Sequence, residues 1–354
     1  MKNLGFNGDE FGGWEFSRVD LKLLLKRGAL LTAANWPVVA IQFAAQLTFQ
    51  ALLFVPIIGA AVLVGALLGT DISNLLEGGL RESFTTIAAA LVGEQVALIA
   101  FVAAFGIVLA GGSILMFLLK GGAVDALLTA DTVAGPIERE PVTVATLRRA
   151  SSFGIAPFVR ACGRLFRRYL ALGVALVAAY LLTAGAYLTF IAYGYRAAAE
   201  SGLVAPWVLA AAMSTVALVL WITAVNLLYL LLQIATAADD LQFGQAVRTV
   251  ARFIRSEFLE LGGVFLVALG MLLAATLASA LAWSGVGLIA FVPLVGLAVL
   301  PLQIAALLIR GLVFEYIGLT AMGAYITLYR RFAARDPVAA GVTAASAPRP
   351  VSAG

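Results

Sequence analysis

Histidine is absent from this 354-residue chain, and cysteine occurs once, as Cys162. The lack of histidine removes the most common side-chain base and the ligand that most zinc and haem sites use. A single cysteine excludes an internal disulfide and any metal site built from several cysteines. The sequence also contains no Walker loop, no dinucleotide-binding fingerprint and no other catalytic pattern. We therefore expect a protein that is not an enzyme and that carries no catalytic residue, metal or cofactor.

Charged residues are scarce: they make up 12% of the chain, while 62% of its residues are hydrophobic and its mean hydropathy is +1.03. Soluble domains carry about 25% charged residues, so a soluble fold could not cover this apolar surface. In lipid, only helices and closed barrels satisfy the backbone polar groups, and barrel strands alternate over about ten residues. Residues 170–195 and 207–238 instead form long, unbroken apolar runs. The sequence therefore predicts an all-α polytopic membrane protein.

A helix needs about 20 apolar residues to cross the hydrocarbon core, and this measure divides the chain into three regions. Residues 1–32 are predicted to form a cytoplasmic segment with an interfacial helix. Residues 333–354, rich in Ala, Pro, Ser and Val, are predicted to form a disordered cytoplasmic tail. Between them, residues 33–332 form a membrane domain of about six spans. The predicted spans are 33–56, 87–119, 169–195, 207–237, 258–283 and 302–329.

Lysine and arginine are distributed unevenly over the segments between the spans. Twenty of them lie in alternate segments, and only Arg81 and Arg196 lie in the remaining loops. Basic residues near the ends of spans are retained in the cytoplasm. The distribution predicts a multi-pass protein of the bacterial cytoplasmic (inner) membrane with both termini in the cytoplasm.

Two proline-bearing segments are similar and suggest an internal repeat. Residues 54–63 and 291–300 are identical at seven of ten positions, and each lies between the two spans of a hairpin. Pro56 and Pro293 occupy the same position and would bend the chain there. We expect three hairpins, each preceded by a cytoplasmic amphipathic helix. The alternative is a chance similarity in a chain made largely of Ala, Leu, Val and Gly.

Two basic stretches precede predicted spans. In residues 247–258, three arginines recur at spacings of four and three, so they share one helical face opposite an apolar face. Residues 158–168 repeat the pattern. Such helices lie in the membrane interface with their arginines toward anionic headgroups, and docking of a partner protein is the alternative. The predicted headgroup contacts are Arg160, Arg164, Arg167, Arg168, Arg248, Arg252 and Arg255.

Polar residues interrupt the apolar spans and form the predicted functional site. A charged residue that faced lipid near the bilayer centre would cost about 2.5–3.5 kcal/mol, so these side chains should turn inward. Sequence distance from the basic ends places Glu94 and Arg310 toward the outer side of the membrane, where we expect them to pair. The group either forms a polar crevice open to the outer leaflet or only bonds helices together. Its members are Gln42, Gln46, Gln50, Glu94, Gln95, Asn226, Gln233, Gln303, Arg310 and Glu315.

The plan resembles that of bacterial six-span membrane families, among them the membrane domain that precedes the catalytic domain of some glycerophosphodiester phosphodiesterases. The resemblance rests on the basic stretch before Asn35-Trp36-Pro37, the arginine-rich residues 165–170 and the proline-bearing segments. It covers most of the chain and implies a helical membrane domain. This sequence contains no counterpart of the catalytic domain, so the resemblance implies no hydrolase activity and assigns no functional residue.

These patterns favour a protein that handles a lipid or other amphiphile, or that forms the membrane part of a transport system, through the polar crevice. The alternative is a non-transporting scaffold or accessory subunit of a membrane complex, and an intramembrane enzyme is a third hypothesis. The expected partners are membrane lipids, together with other membrane-protein subunits or a second copy of the chain. We expect no binding to nucleic acid.

Overall fold

The computed structural model describes residues 20–68, 93, 95–290 and 295–335. Glu94, Pro293 and residues 336–354 of the predicted tail lie outside the described residues. Within these ranges, the chain forms α-helices joined by short connections, with one 3-10 turn, Ile137–Arg139. The α-helices are α1 (Leu21–Ala34), α2 (Trp36–Leu68), α3 (Gln95–Val133), α4 (Val144–Ala150), α5 (Ile155–Ser201), α6 (Val204–Asp239), α7 (Phe243–Ser256), α8 (Phe258–Ala290) and α9 (Val295–Arg335).

Six of these helices, namely α2, α3, α5, α6, α8 and α9, are long and apolar enough to cross a bilayer. A helix bonds every backbone polar group within the segment, which is what lipid requires. The prediction of an all-α, multi-pass membrane protein is therefore confirmed. The candidate spans are Trp36–Ala60, Leu98–Val133, Ile155–Ser201, Val204–Asp239, Phe258–Ala282 and Pro301–Arg335.

The longest helix, α5, has 47 residues. It is therefore about 70 Å long, more than twice the roughly 30 Å thickness of the hydrocarbon core. It ends at Gly202, which adopts a left-handed conformation with φ +73°. Its proline, Pro157, lies in the first turn, where helices tolerate the missing N–H. The basic residues 158–168 and the predicted span 169–195 therefore form one uninterrupted helix, whereas the sequence suggested two.

Asn35 divides the first predicted span, 33–56, because it separates α1 from α2. Its side-chain nitrogen donates to the carbonyl oxygens of Leu31 (2.9 Å) and Ala150 (3.0 Å). Its side-chain oxygen accepts from the backbone N–H of Ser152 at 3.0 Å. Asparagine competes with the helix for backbone partners, which explains the break at this position.

Contacts between residues divide the chain into two compact units. The terminal unit comprises the described parts of residues 1–36, 127–152 and 230–354. The central unit comprises the described parts of residues 37–126 and 153–229. Each unit therefore contains segments that are far apart in the sequence.

Burial is concentrated toward one end of each spanning helix. It lies toward the beginning of α2, α5 and α8 and toward the end of α3, α6 and α9. In α6, for example, Leu231–Thr236 are all buried. In contrast, the most apolar windows of α5 and α6 contain no buried residue. The most apolar parts of these helices therefore leave their side chains available to lipid or to partner helices.

In the terminal unit, α1 packs closely against α9. A Cβ atom added at Gly28 would lie 2.9 Å from the backbone nitrogen of Ala324. Nearby, the Tyr316 hydroxyl donates to the carbonyl oxygen of Ala29 at 3.1 Å. Glycine is needed at position 28 because the α9 backbone occupies the space of a side chain.

Candidate functional site

A cavity of about 380 Å³ lies between α8 and α9 in the terminal unit. The α8 wall is made of small side chains because alanine recurs there at helical spacing, which places these residues on one face. The α9 wall carries larger and more polar side chains. The residues that define the two walls are Ala275, Ala278 and Ala282 on α8, and Gln303, Arg310 and Phe314 on α9.

Arg310 supplies the positive charge in this cavity. Its side chain is exposed, and its guanidinium carbon lies 5.5 Å from the centre of the Phe314 ring one turn further along α9. An aromatic face attracts a cation at this distance, which holds the guanidinium at the edge of the cavity. Within the described residues, Arg310 forms no ion pair with a carboxylate.

The arrangement combines an apolar wall with a charged end. Alanine side chains leave room for a hydrocarbon chain, and a guanidinium group binds carboxylates and phosphates through paired N–H donors. Gln303, two turns before Arg310, adds an amide that can donate or accept a hydrogen bond. Chemically, the cavity suits a molecule with one apolar part and one anionic part.

Two of the predicted site residues, Gln303 and Arg310, line this cavity. Two others in the terminal unit do not: Glu315 is half-buried on α9, and Gln233 is buried at the end of α6. Glu94 lies outside the described residues, so its pairing with Arg310 stays a prediction.

The glutamine stripe on α2, in the central unit, changes in burial along its length. Gln42 is buried, Gln46 is half-buried and Gln50 is exposed. The side-chain nitrogen of Gln42 has no hydrogen-bond partner among the described residues. Gln95, at the first residue of α3, is exposed. The stripe therefore lies on one helix as predicted, but only its first member is enclosed.

Asn226 belongs to a series of polar contacts that joins α5 to α6 in the central unit. The Tyr180 hydroxyl donates to the Asn226 side-chain oxygen at 2.5 Å. One turn further along α5, the Thr183 hydroxyl accepts from the Trp221 indole N–H at 3.1 Å. Asn226 thus bonds one helix to another, which agrees with the simpler of the two interpretations of the polar residues.

The arginines predicted to contact headgroups are mostly exposed. Arg164 forms an ion pair with Asp125 at 2.6 Å, and Arg168 is half-buried. The remaining members of the group are all exposed, namely Arg160, Arg167, Arg248, Arg252 and Arg255. Asp125 already pairs with Arg164, so the five exposed arginines are the better candidates for headgroup contact.

The apolar face of α7 is partly packed against other residues of the protein and partly exposed. Val250 and Phe253 are fully buried in the terminal unit, and the Phe253 ring contacts the rings of Tyr329 (5.3 Å) and Phe332 (5.2 Å). Val247 remains 40% exposed. Part of the face that the sequence assigned to lipid is therefore occupied by α9.

Sequence reasoning missed a cluster of buried charges around Arg27 in the terminal unit. The guanidinium group of Arg27 lies 2.7 Å from a carboxylate oxygen of Asp131 and 2.7 Å from one of Glu138. It also donates to the carbonyl oxygens of Gly135 (2.5 Å) and Asp131 (2.9 Å). All three charged side chains are buried. The available signal was three charges in two segments that the sequence placed at the cytoplasmic side, Arg27 in one and Asp131 and Glu138 in the other, but their pairing could not be read from spacing.

The cluster continues onto α9. The Thr327 hydroxyl donates to Asp131 at 3.0 Å, and the guanidinium group of Arg330 lies 3.7 Å from the same carboxylate. Burial opposes the charge on Arg27, but Asp131 and Glu138 outweigh burial and raise the pKa of Arg27. The cluster thus ties α1, the end of α3 and the end of α9 together through ionised groups.

The fold and the cavity define a multi-pass helical membrane protein with an apolar, singly charged cavity between its last two spanning helices. No protein-family model matches this chain, and no curated protein or solved structure matches it.

Proposed function

We propose that this protein binds an anionic amphiphile in the cavity between α8 and α9. The observation that carries the proposal is the exposed Arg310 beside an alanine-lined wall in a helix apolar enough to span lipid. An arginine in such a helix is costly unless it reaches an anionic group or water. A carboxylate or phosphate on an acyl chain would meet this need while its chain lies along α8.

The dimensions of the cavity are consistent with a single hydrocarbon chain. Ala275 and Ala282 are seven residues apart on α8 and therefore about 10 Å apart along the helix axis. Gln303 is seven residues before Arg310, so a second polar group lies at a similar separation along α9. These features support one chain with an acidic end near Arg310 and a second polar contact near Gln303. The same features would also suit the membrane part of a transport system that carries such a molecule.

The proposal includes a topology of three hairpins with both termini in the cytoplasm of a bacterium, at its cytoplasmic membrane. Two observations support it. The buried end alternates from helix to helix, as expected when successive helices run in opposite directions. In the central unit, Tyr180 on α5 contacts Asn226 on α6, and Thr183, further along α5, contacts Trp221, which comes earlier on α6. This order is the one expected of antiparallel helices. The same proposal includes the cytoplasmic amphipathic helices and a relationship to the membrane domains of some glycerophosphodiester phosphodiesterases. Both are expected of a protein that handles lipids.

Binding of palmitate to the purified full-length protein tests the proposal. Arg310→Gln should weaken palmitate binding by about tenfold, the effect of losing about 1.4 kcal/mol of charge-assisted bonding. The same substitution should leave binding of monoolein, which has no charge, nearly unchanged. Ala278→Phe should weaken binding of both, because the ring fills the cavity. Affinities can be measured by native mass spectrometry in detergent.

Ala212→Phe is the matched control, since Ala212 is an exposed alanine on the spanning helix α6. It should leave both affinities unchanged. If Arg310→Gln and Ala278→Phe behave like the control, the cavity is not the binding site. Glu94→Gln tests the predicted pairing in the same assay: a paired Arg310 would be released by the substitution and would bind palmitate more tightly.

A scaffold function is the second candidate, and one observation favours it. The most apolar windows of the six candidate spans are at most 22% buried within the chain. Apolar helices that bury so little against one another leave large surfaces for partner subunits or a second copy. A defined oligomer in nanodiscs, measured by native mass spectrometry, would favour the scaffold. A monomer that binds palmitate would favour the amphiphile site.

A further inference from the structure

A second cavity, of about 460 Å³, lies in the terminal unit where α3 and α9 end. It shares no lining residue with the cavity that contains Arg310. Its lining carries three arginines and two carboxylates and therefore has an excess of positive charge. These residues are Arg27, Arg330, Arg331, Asp131 and Glu138.

The two carboxylates are already engaged. Arg27 binds Asp131 and Glu138 at 2.7 Å each, and Thr327 adds a hydrogen bond to Asp131. Arg27 also donates hydrogen bonds to backbone carbonyl oxygens at the end of α3. This group of side chains is therefore satisfied within the protein, and the acidic residues are not available to attract a cation.

Arg330 and Arg331 are not engaged in the same way. The 3.7 Å distance between Arg330 and Asp131 is too long for a hydrogen bond, and the Arg330 side chain is 36% exposed. Arg331 is half-buried and forms no ion pair within the described residues. Neither side chain donates a hydrogen bond to another described residue, so two guanidinium groups with available donors line one cavity, an arrangement that binds oxyanions.

We infer that this cavity binds a phosphate group, with Arg330 and Arg331 as its ligands and the Arg27 cluster as its fixed wall. Guanidinium groups bind phosphate oxygens through two parallel N–H donors each, which favours phosphate over a monatomic anion such as chloride. The phosphate could belong to the headgroup of an anionic lipid or be free in solution. The chemistry of recognition is the same for both sources.

Isothermal titration of the full-length protein in detergent with inorganic phosphate tests this inference. Binding should weaken by about a hundredfold in the double variant Arg330→Gln/Arg331→Gln, which is about tenfold for each arginine. Arg330→Lys/Arg331→Lys keeps both charges and should retain weaker binding, which shows that the fold is intact. The control Arg139→Gln/Arg148→Gln removes two exposed arginines of the same unit outside the cavity and should bind phosphate as the unsubstituted protein does.

Reconstitution distinguishes the two sources of phosphate. In nanodiscs of phosphatidylglycerol, a headgroup that occupies the cavity would suppress phosphate binding, whereas nanodiscs of phosphatidylcholine would not. Equal phosphate binding in both lipids would indicate a soluble ligand. The inference is overturned if the protein does not bind phosphate in detergent, or if the glutamine variant binds it as well as the control does. Palmitate binding at Arg310 should be unaffected by either double variant, so the two proposals can fail separately.

Discussion

Arg27 illustrates how a single residue determines the arrangement of the terminal unit. The side chain is only 10% exposed, and two carboxylates and two carbonyl oxygens surround its guanidinium group. A buried ion is expensive to remove from water, so its partners must be complete. Removing the arginine would take the hydrogen-bonded counter-ion from two buried carboxylates and leave Asp131 only Arg330 at 3.7 Å, which is worse than losing the contacts alone.

Arg27→Met should therefore lower the free energy of unfolding by about 3–5 kcal/mol, the range for breaking a buried ion pair. Thermal unfolding of the protein in detergent would report the loss. Arg148→Gln, which removes an exposed arginine of the same unit, should change stability by less than about 0.5 kcal/mol. Equal effects of the two substitutions would mean that the buried cluster contributes little.

Glu138 makes the cluster sensitive to acid. Burial opposes its ionisation, but hydrogen bonds from its own backbone N–H and from Arg27 outweigh burial and lower the pKa of Glu138. A carboxyl group whose pKa is lowered by folding stabilises the folded protein at pH values above its ordinary pKa. This stabilisation is lost as the pH falls through the pKa of the folded state.

Acidification from pH 7 to about pH 4 should therefore lower the melting temperature of the unsubstituted protein more than that of Glu138→Gln. Glu138→Gln should already be less stable at pH 7, because Arg27 loses one partner. Glu260→Gln, which removes a carboxylate outside the cluster, serves as control. A melting temperature with the same pH dependence in Glu138→Gln and in the unsubstituted protein would contradict the linkage.

Asn35 is the second residue that organises its surroundings, because it bonds α1 to the segment after α4. Asn35→Ala should destabilise the protein by about 2–3 kcal/mol, because the buried carbonyl group of Ala150 and the partly buried N–H of Ser152 lose their partner. Asn35→Asp keeps the acceptor for Ser152 but places a buried carboxylate against the carbonyl oxygens of Leu31 and Ala150, so it should destabilise the protein at least as much as alanine does. Chemical denaturation in detergent would rank the three proteins, and an alanine variant as stable as the parent would refute this role.

The sequence could place Arg27 in a basic segment but could not name its partners. Asp131 is 104 positions away and Glu138 is 111 positions away, so neither follows from local spacing. Gln42, Gln46 and Gln50 were predictable as one stripe, because helical periodicity alone fixes their common face. Their burial was not predictable, since it depends on neighbouring helices. Residue types and faces are local properties, and partners are not.

At the scale of elements, the crossing of α1 and α9 depends on a glycine. Gly28→Ala should destabilise the protein by about 1–3 kcal/mol, because the new methyl group meets the backbone of α9 and cannot be accommodated by moving a side chain. Gly262→Ala is the matched control, since a Cβ atom there meets nothing within 4 Å. It should be neutral or slightly stabilising, because alanine favours helix. Thermal unfolding of both variants would separate packing from helix propensity, and equal stability would argue against a tight crossing.

The existence of the long helices was predictable, and their ends were not. Lipid leaves the backbone no alternative to internal hydrogen bonds, so apolar runs of sufficient length become helices. Leaving the hydrocarbon does not end a helix, however, and residues 158–168 continue into the span that follows. Among the described residues of the predicted spans, only Asn35, which offers the backbone another partner, introduces a break. Ends therefore depend on specific side chains more than on hydropathy.

At the scale of the whole molecule, the threading of the chain can be tested by labelling. In a Cys162→Ala background, Ser201→Cys should react with a membrane-impermeant maleimide added to intact cells. Arg255→Cys should react only after the membrane is made permeable. Both positions are exposed, so accessibility of the side chain does not limit either reaction. Labelling of Arg255→Cys from outside would reverse the proposed orientation.

The number of candidate spans could be obtained from composition because the apolar runs are long and well separated. The cavity beside Arg310 was only partly predictable: the polar residues Gln303 and Arg310 were visible, but the alanines that create the space were not. Ala275 and Ala278 are ordinary residues of an apolar span, and they line a cavity only because they lie opposite α9. An empty volume is a property of two helices together, so one sequence segment does not reveal it.

The unbroken course of α5 has a mechanical consequence. A continuous helix bends little, so its two ends move as parts of one stiff rod. Tilting a rod of about 70 Å by about 5° displaces one end relative to the other by roughly 6 Å. A change in bilayer thickness that alters the tilt of α5 would therefore reach its arginine-bearing end directly, without a joint to absorb the motion.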